Sequence, residues 1–490
     1  MHLRRLKSLY PAFLFVASFL ALAYYAAVLK HFLKADDYEV IYNPMDAALR
    51  NSVAIGAGRP LYCLALEAIG WCARNHFRHS GLYRLLSLGF LALASFSLLE
   101  LLLLYRFPRW MACAFVAMFA SLPAIIVYEG WLSCGPYLIA VWLAIMAFIR
   151  AHRAARLPAR RCWMPASVSI CLLILSLSIY QPAAMVFFAL LALDILYSPA
   201  KSIGRAARIG AMKTFIGGVA MGVYFAAFKL AVLMTSVPMQ NRERISSDVV
   251  DGFCGIVGKI VWTSYNSFNI APWSRRRYFY QLSILCFVLI LAWQHRKALG
   301  AFLLKLVSVA GLVLLTSLPL LASFSSWIPF RTMLGPALVF LFVHFYAFRT
   351  LAPLVRARFG RASWALAALA LIWLVSNDWR LLNDYLIFPS RIEMSYMGKR
   401  LGEAAAVGGV AYVIRAENTF IPGAKSDEFG QYTSSIDWAL DSMVKTIIRE
   451  YHVDTTRLKV IPILTPPARL PSDPNTITID MRDLKYVSFR

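Results

Sequence analysis

The chain has 490 residues, of which 60% are hydrophobic and 14% aromatic, while only 15% are charged, against about 25% in soluble domains. So low a charge density excludes an ordinary soluble enzyme. The formal net charge is +25, yet the basic residues fall in short bursts between long apolar runs, not in the patch or stripe that nucleic acid binding requires. An all-α polytopic membrane protein is predicted, with most of its mass in lipid and no nucleic-acid partner.

The chain opens with Arg4, Arg5 and Lys7 ahead of the apolar run Phe13 to Val28. With no small-residue cleavage site after it, this run reads as a retained first helix. A hydrocarbon core of about 30 Å needs close to 20 mostly apolar residues per helix. Eleven segments answer to that measure: 11–29, 82–104, 110–128, 136–149, 163–179, 182–197, 214–235, 278–294, 301–322, 332–348 and 363–375. The eight cysteines, at 63, 72, 113, 134, 162, 171, 254 and 286, lie in or beside these segments. No C-x-x-C and no paired histidine spacing accompanies them, so they read as small core residues.

Orientation follows from the loops. Arg106 and Arg109; Arg150, Arg153, Arg156, Arg160 and Arg161; Lys201, Arg205, Arg208 and Lys213; Arg296 and Lys297; and Arg349, Arg356, Arg358 and Arg361 all fall on one side when the helices alternate. By the positive-inside rule that side is the cytoplasm, so the N-terminus is expected inside and the C-terminus outside. A transmembrane unit over 1–375 is then followed by an outer tail over 376–490.

Function is expected in the long outer pieces. The loop 30–81 holds two semi-apolar stretches, 44–55 and 61–73, which read as interfacial helices. A second loop, 236–277, carries Arg242, Glu243, Arg244, Asp248 and Asp251 as a solvated segment. In the tail, apolar spacing alternates between helical and strand periods, predicting helix 391–406, strand 410–415, helix 436–451, strand 458–464 and strand 476–480, a small α/β unit.

The sharpest chemical feature is Ala35-Asp36-Asp37-Tyr38, just after the first helix. Adjacent carboxylates repel, so the pair can supply a base or hold a divalent cation, or it can simply mark an acidic loop start. Gly58-Arg59-Pro60-Leu61 fixes an arginine at the membrane surface, where its planar fork grips a phosphate or snorkels to headgroups. Ile179-Tyr180-Gln181-Pro182 makes a tight outer turn whose Gln and Tyr suit a sugar or an aromatic belt.

These three motifs, in this order and on one side, resemble the bacterial serotype-converting glucosyltransferases that decorate O-antigen. Relatives are expected to carry a basic residue soon after the acidic pair; here Glu39 and Val40 follow, and the next arginine is Arg50. The resemblance covers residues 10–380 and implies the membrane-embedded C-type glycosyltransferase fold. It further implies sugar transfer, with glucose expected, from a polyprenyl-phosphate donor to a lipid-linked or polymeric glycan, with Asp36 or Asp37 as base and inversion at the anomeric carbon.

Positive charge for the departing phosphate would come from Arg59, from Arg331 at the start of the tenth helix, which reads first as an interfacial anchor, or from Lys229 within the seventh, where an ammonium marks a cavity or partner or else snorkels to the surface. Glu129, before Gly130-Trp131, is a candidate for acceptor binding or for capping. Glu100 and Asp194 read as structural and His344 as packing. The rival functions are a transporter or flippase of lipid-linked sugar, against which the absence of repeated halves counts, and a surface-polysaccharide polymerase or ligase.

Overall fold

Every one of the eleven apolar segments lies on helix in the computed structural model, which describes residues 2–34, 36–42, 50–73, 80–197, 203–238, 257–258, 276–323, 329–360, 362–416, 432–464 and 476–486. Among the described residues, seven helices are long and apolar enough to cross a membrane, or eight if the bent pair Arg109–Ala120 and Pro123–Gly130 is one span. Gln181–Leu196 and Gln281–Gln294 are shorter apolar helices. Helix is what lipid demands, because every backbone group must find its partner within the segment.

The bent pair explains how polar groups enter the bundle. Pro123 has no N–H to continue the preceding helix, so a new one starts at 58° to it. Side chains from other helices meet the break. The Tyr24 hydroxyl donates to the Ala120 carbonyl, and the Ser121 hydroxyl donates to Asp378. The bend carries Glu129 into the interior.

Where the chain enters the loop 30–81, the stretch expected as an interfacial helix over 61–73 is helix Pro60–Ala73. The earlier stretch, 44–55, lies partly outside the described residues and ends in the π-turn Ser52–Gly56. Arg242, Glu243, Arg244, Asp248 and Asp251 lie outside the described residues altogether.

One expectation is corrected on the opposite end of the bundle. Lys213 is not a loop cation; it belongs to the long helix Ile203–Thr235 and is fully buried. Its ammonium donates to Asp194 Oδ2 at 2.6 Å and to His152 Nδ1 at 2.8 Å, and Tyr105 donates to Asp194 Oδ1 at 2.6 Å. Burial of an ion pair costs desolvation that only such added hydrogen bonds offset. Tyr105→Phe is therefore expected to destabilise the protein by about 1.5–3 kcal/mol, the range for hydrogen bonds to charged groups. Thermal unfolding in detergent measures it, and an unchanged midpoint would contradict the role. Glu100 by contrast is exposed on its helix, as is Cys171, which is therefore no core residue. His344 pairs with the Ser283 hydroxyl inside the helix packing.

The helix expected to stop at 375 runs from Ala362 to Leu382, through a π-turn, and on into Phe388–Val407. A continuous helical path thus crosses the expected boundary. Gly408 ends it in a left-handed conformation (φ 79°), donating to the Ala404 carbonyl at 2.9 Å. The tail forms a parallel three-stranded sheet ordered β2-β1-β3, with β1 Gly409–Ile414, β2 Leu458–Ile463 and β3 Thr476–Asp480. Parallel strands need a crossover, and helix Asp437–Glu450 supplies the one from β1 to β2. Ala411 and Val413 of β1 share a core with Met397, Leu401, Met443 and Ile447 of the two helices. Leu33, Tyr38 and Leu132 from the membrane part close the same core.

Candidate functional site

The site is assembled at the end of the bundle where the first helix finishes. Its two acids differ sharply. Asp36 is half-buried at the start of the short helix Asp36–Tyr42, whereas Asp37 is fully buried. The Asp37 carboxylate accepts the backbone N–H of Lys34 at 3.0 Å, of Leu132 at 3.1 Å and of Ser133 at 2.9 Å. It therefore pins its own turn to the connection between Gly130 and Tyr137. Burial pushes the Asp37 carboxyl above its ordinary value, and Arg84 and the backbone donors pull it back.

Arg84 is the residue that sequence reasoning passed over, although a lone arginine within an apolar helix is itself a signal. Its guanidinium is fully buried, lies 3.7 Å over the Phe32 ring and donates to the Phe32 carbonyl at 2.8 Å and the Gly130 carbonyl at 3.3 Å. Asp37 and Glu129 are the anions facing it. Glu129 is fully buried, and neither carboxylate oxygen has a hydrogen-bond partner among the described residues. Such a group is neutral, or it awaits a partner, because an ionised carboxylate without hydrogen bonds is costly in a dry interior.

Two motifs far apart in sequence meet directly. Arg59 Nε donates to Gln181 Oε1 at 2.9 Å, and its guanidinium lies 5.1 Å over the Tyr180 ring. Gln181 Nε2 in turn donates to the Ala57 carbonyl at 3.0 Å and to the Tyr224 hydroxyl at 2.7 Å. Tyr180 is extended between two helices, and the second begins at Gln181 with Pro182 in its first turn. Tyr180 stacks on Tyr137 with ring centroids 3.7 Å apart and planes within 6°.

Tyr62 links this group to the acids. Its ring centroid is 5.1 Å from that of Tyr137. Burial holds its phenol well above the ordinary value, and Cys134, Tyr137, Asp36 and Arg59 are the groups around it that act on its charge. Arg331 joins from the other flank: its carbonyl accepts the Tyr128 hydroxyl and its guanidinium lies 5.1 Å over Trp131. The structure thus gathers Asp36, Asp37, Arg59, Glu129, Tyr180, Gln181 and Arg331 into one neighbourhood. Lys229 is half-buried on the helix that carries Tyr224, and its ammonium lies 5.4 Å from the Phe225 ring of that same helix.

Gly58 makes the arginine turn possible, because it sits at φ 65° with its carbonyl accepting the Tyr224 hydroxyl. A Cβ there would stand 2.7 Å from the Tyr224 hydroxyl oxygen and 3.0 Å from Phe228 Cδ2. Gly58→Ala is expected to cost about 1–3 kcal/mol, the range for a non-glycine residue held in a sparsely populated conformation. Thermal unfolding of the purified protein would show it, and unaltered stability would mean the turn relaxes freely.

No group of three or more His, Cys, Asp or Glu side chains that could hold a metal ion occurs among the described residues. Comparison with family models, with curated proteins and with solved structures gives no match to the chain.

Proposed function

We propose that the chain is a membrane glycosyltransferase that moves a sugar, with glucose expected, from a polyprenyl-phosphate donor to O-antigen or another lipid-linked or polymeric surface glycan. The observation that carries this reading is the meeting of Arg59 with Tyr180 and Gln181, beside the turn that bears Asp36 and Asp37. A polyprenyl donor cannot leave the bilayer, so its phosphosugar must be held where the spans end, and a phosphate-binding fork next to a carboxylate and a tyrosine stack is the chemistry that task needs.

In the proposed reaction Asp36 takes the proton of an acceptor hydroxyl. The hydroxyl oxygen forms its bond to the anomeric carbon while the bond from that carbon to the phosphate oxygen breaks. Polyprenyl phosphate departs with the electron pair, and the carbon inverts. Arg59 stabilises the departing phosphate, with Arg331 as the second cation, and Gln181 fixes the arginine fork. Asp37 acts by holding the turn, since backbone donors already occupy its oxygens. A divalent cation at the pair would accordingly be bound through Asp36. The accompanying architecture is that of a C-type glycosyltransferase of eleven spans in a bacterial inner membrane, N-terminus in the cytoplasm, with the site and the α/β tail in the periplasm.

The test is purified protein in detergent with a radiolabelled polyprenyl phosphate sugar and a glycan acceptor. Label should pass to the acceptor without any membrane barrier. A translocator would need sealed vesicles and would leave the label on its lipid, and that result would remove the transferase reading.

A further inference from the structure

We propose that Glu393, in the C-terminal α/β unit, is a positioning residue for the acidic turn, acting through Lys34. Four fully buried ionisable side chains alternate in sign from the tail into the bundle: Glu393, Lys34, Asp37 and Arg84. Each acts electrostatically on its neighbour in that order. Charges out of water persist only with opposite partners and hydrogen bonds on the remaining positions, so each member fixes the place of the next.

The hydrogen bonds give the chain its direction. Glu393 accepts the backbone N–H of Thr433 at 3.0 Å and, from Ser434, the N–H at 2.8 Å and the hydroxyl at 2.7 Å. It is thereby locked to the segment that leads into helix Asp437–Glu450, and Lys34 is the cation that acts on its charge. The backbone of Lys34 belongs to the turn itself: its N–H donates to Asp37 Oδ2 at 3.0 Å, and its carbonyl accepts the Asp37 N–H at 2.8 Å. A buried lysine under the charge of Glu393 and a main chain bonded to Asp37 leave the intervening segment, which carries Asp36, little freedom. Leu33 and Tyr38 flank the turn and pack into the core of the tail. The C-terminal unit therefore completes the site instead of merely hanging from it. This inference rests on Asp36 being the base of the proposed transfer.

The experiment uses the full-length protein with Glu393→Gln, Lys34→Gln and the double variant. Glu403→Gln is the control, an exposed partner of Arg400 on the same helix. Hydrogen exchange over residues 32–42 reads the turn, and kcat and donor KM for sugar transfer read the site. Glu393→Gln is expected to speed exchange of 32–42 about tenfold or more, the effect of removing one charge from a buried opposite pair. It should also lower kcat with little change in donor KM, because the lost interaction is one that orients the base. Lys34→Gln should do the same, and the double variant should be no worse than either single one, as residues acting as a unit behave. Normal exchange and kcat in both single variants, or additive losses in the double, would overturn the clamp. If wild-type protein transfers no sugar yet exchange of 32–42 still responds to Glu393→Gln, the transferase reading is lost while the clamp stands.

Discussion

Asp36→Asn is expected to lower the rate of sugar transfer by about 100- to 10,000-fold, the span attributed to a positioned general base, while leaving the amount of protein in the membrane unchanged. The expectation follows from how the two acids differ. Asp36 is half-buried at the beginning of a helix, where asparagine of the same shape is equally well accommodated. An amide in its place cannot take the acceptor proton. Initial rates with labelled donor, normalised to protein level, measure the effect. A variant that transfers at the wild-type rate would remove Asp36 from the chemistry and require another base; Glu129, buried and without hydrogen-bond partners among the described residues, would then be the first to examine.

Asp37→Ala is expected to act on stability. The side chain meets three backbone donors and faces the buried Arg84. Removing it leaves those N–H groups unpaired and a guanidinium in the interior with one anion fewer. Breaking a buried charge pair from one side costs about 3–5 kcal/mol, a large part of the stability of any domain. Low abundance in membranes and a strongly depressed unfolding temperature in detergent are the expected results. A folded, fully stable Asp37→Ala protein would show that the turn is held by something other than its carboxylate. The pair of variants thus separates two neighbours that sequence alone treats as equivalent: one should lose rate, the other structure.

Local pattern made much of the molecule legible. The tail elements expected over 391–406, 410–415, 436–451, 458–464 and 476–480 are found at Phe388–Val407, Gly409–Ile414, Asp437–Glu450, Leu458–Ile463 and Thr476–Asp480. The apolar segments lie on helices because hydropathy and periodicity are carried by residues close in sequence and lipid permits few alternatives. The Gly58-Arg59-Pro60 and Tyr180-Gln181-Pro182 turns were visible for the same reason: glycine and proline declare backbone geometry locally.

What tertiary structure decided is partnership between residues far apart. Arg59 meets Gln181 across 122 positions, and Asp37 caps Ser133 across 96. Nothing in Asp36-Asp37 states which acid is enclosed, since that depends on where Leu132 and Arg84 arrive. Lys213 reads as one more basic loop residue until the helix is seen to carry it inward onto Asp194. Charge and spacing name the groups available to a site, whereas burial and hydrogen-bond satisfaction, which exist only once the helices have packed, assign each group its work.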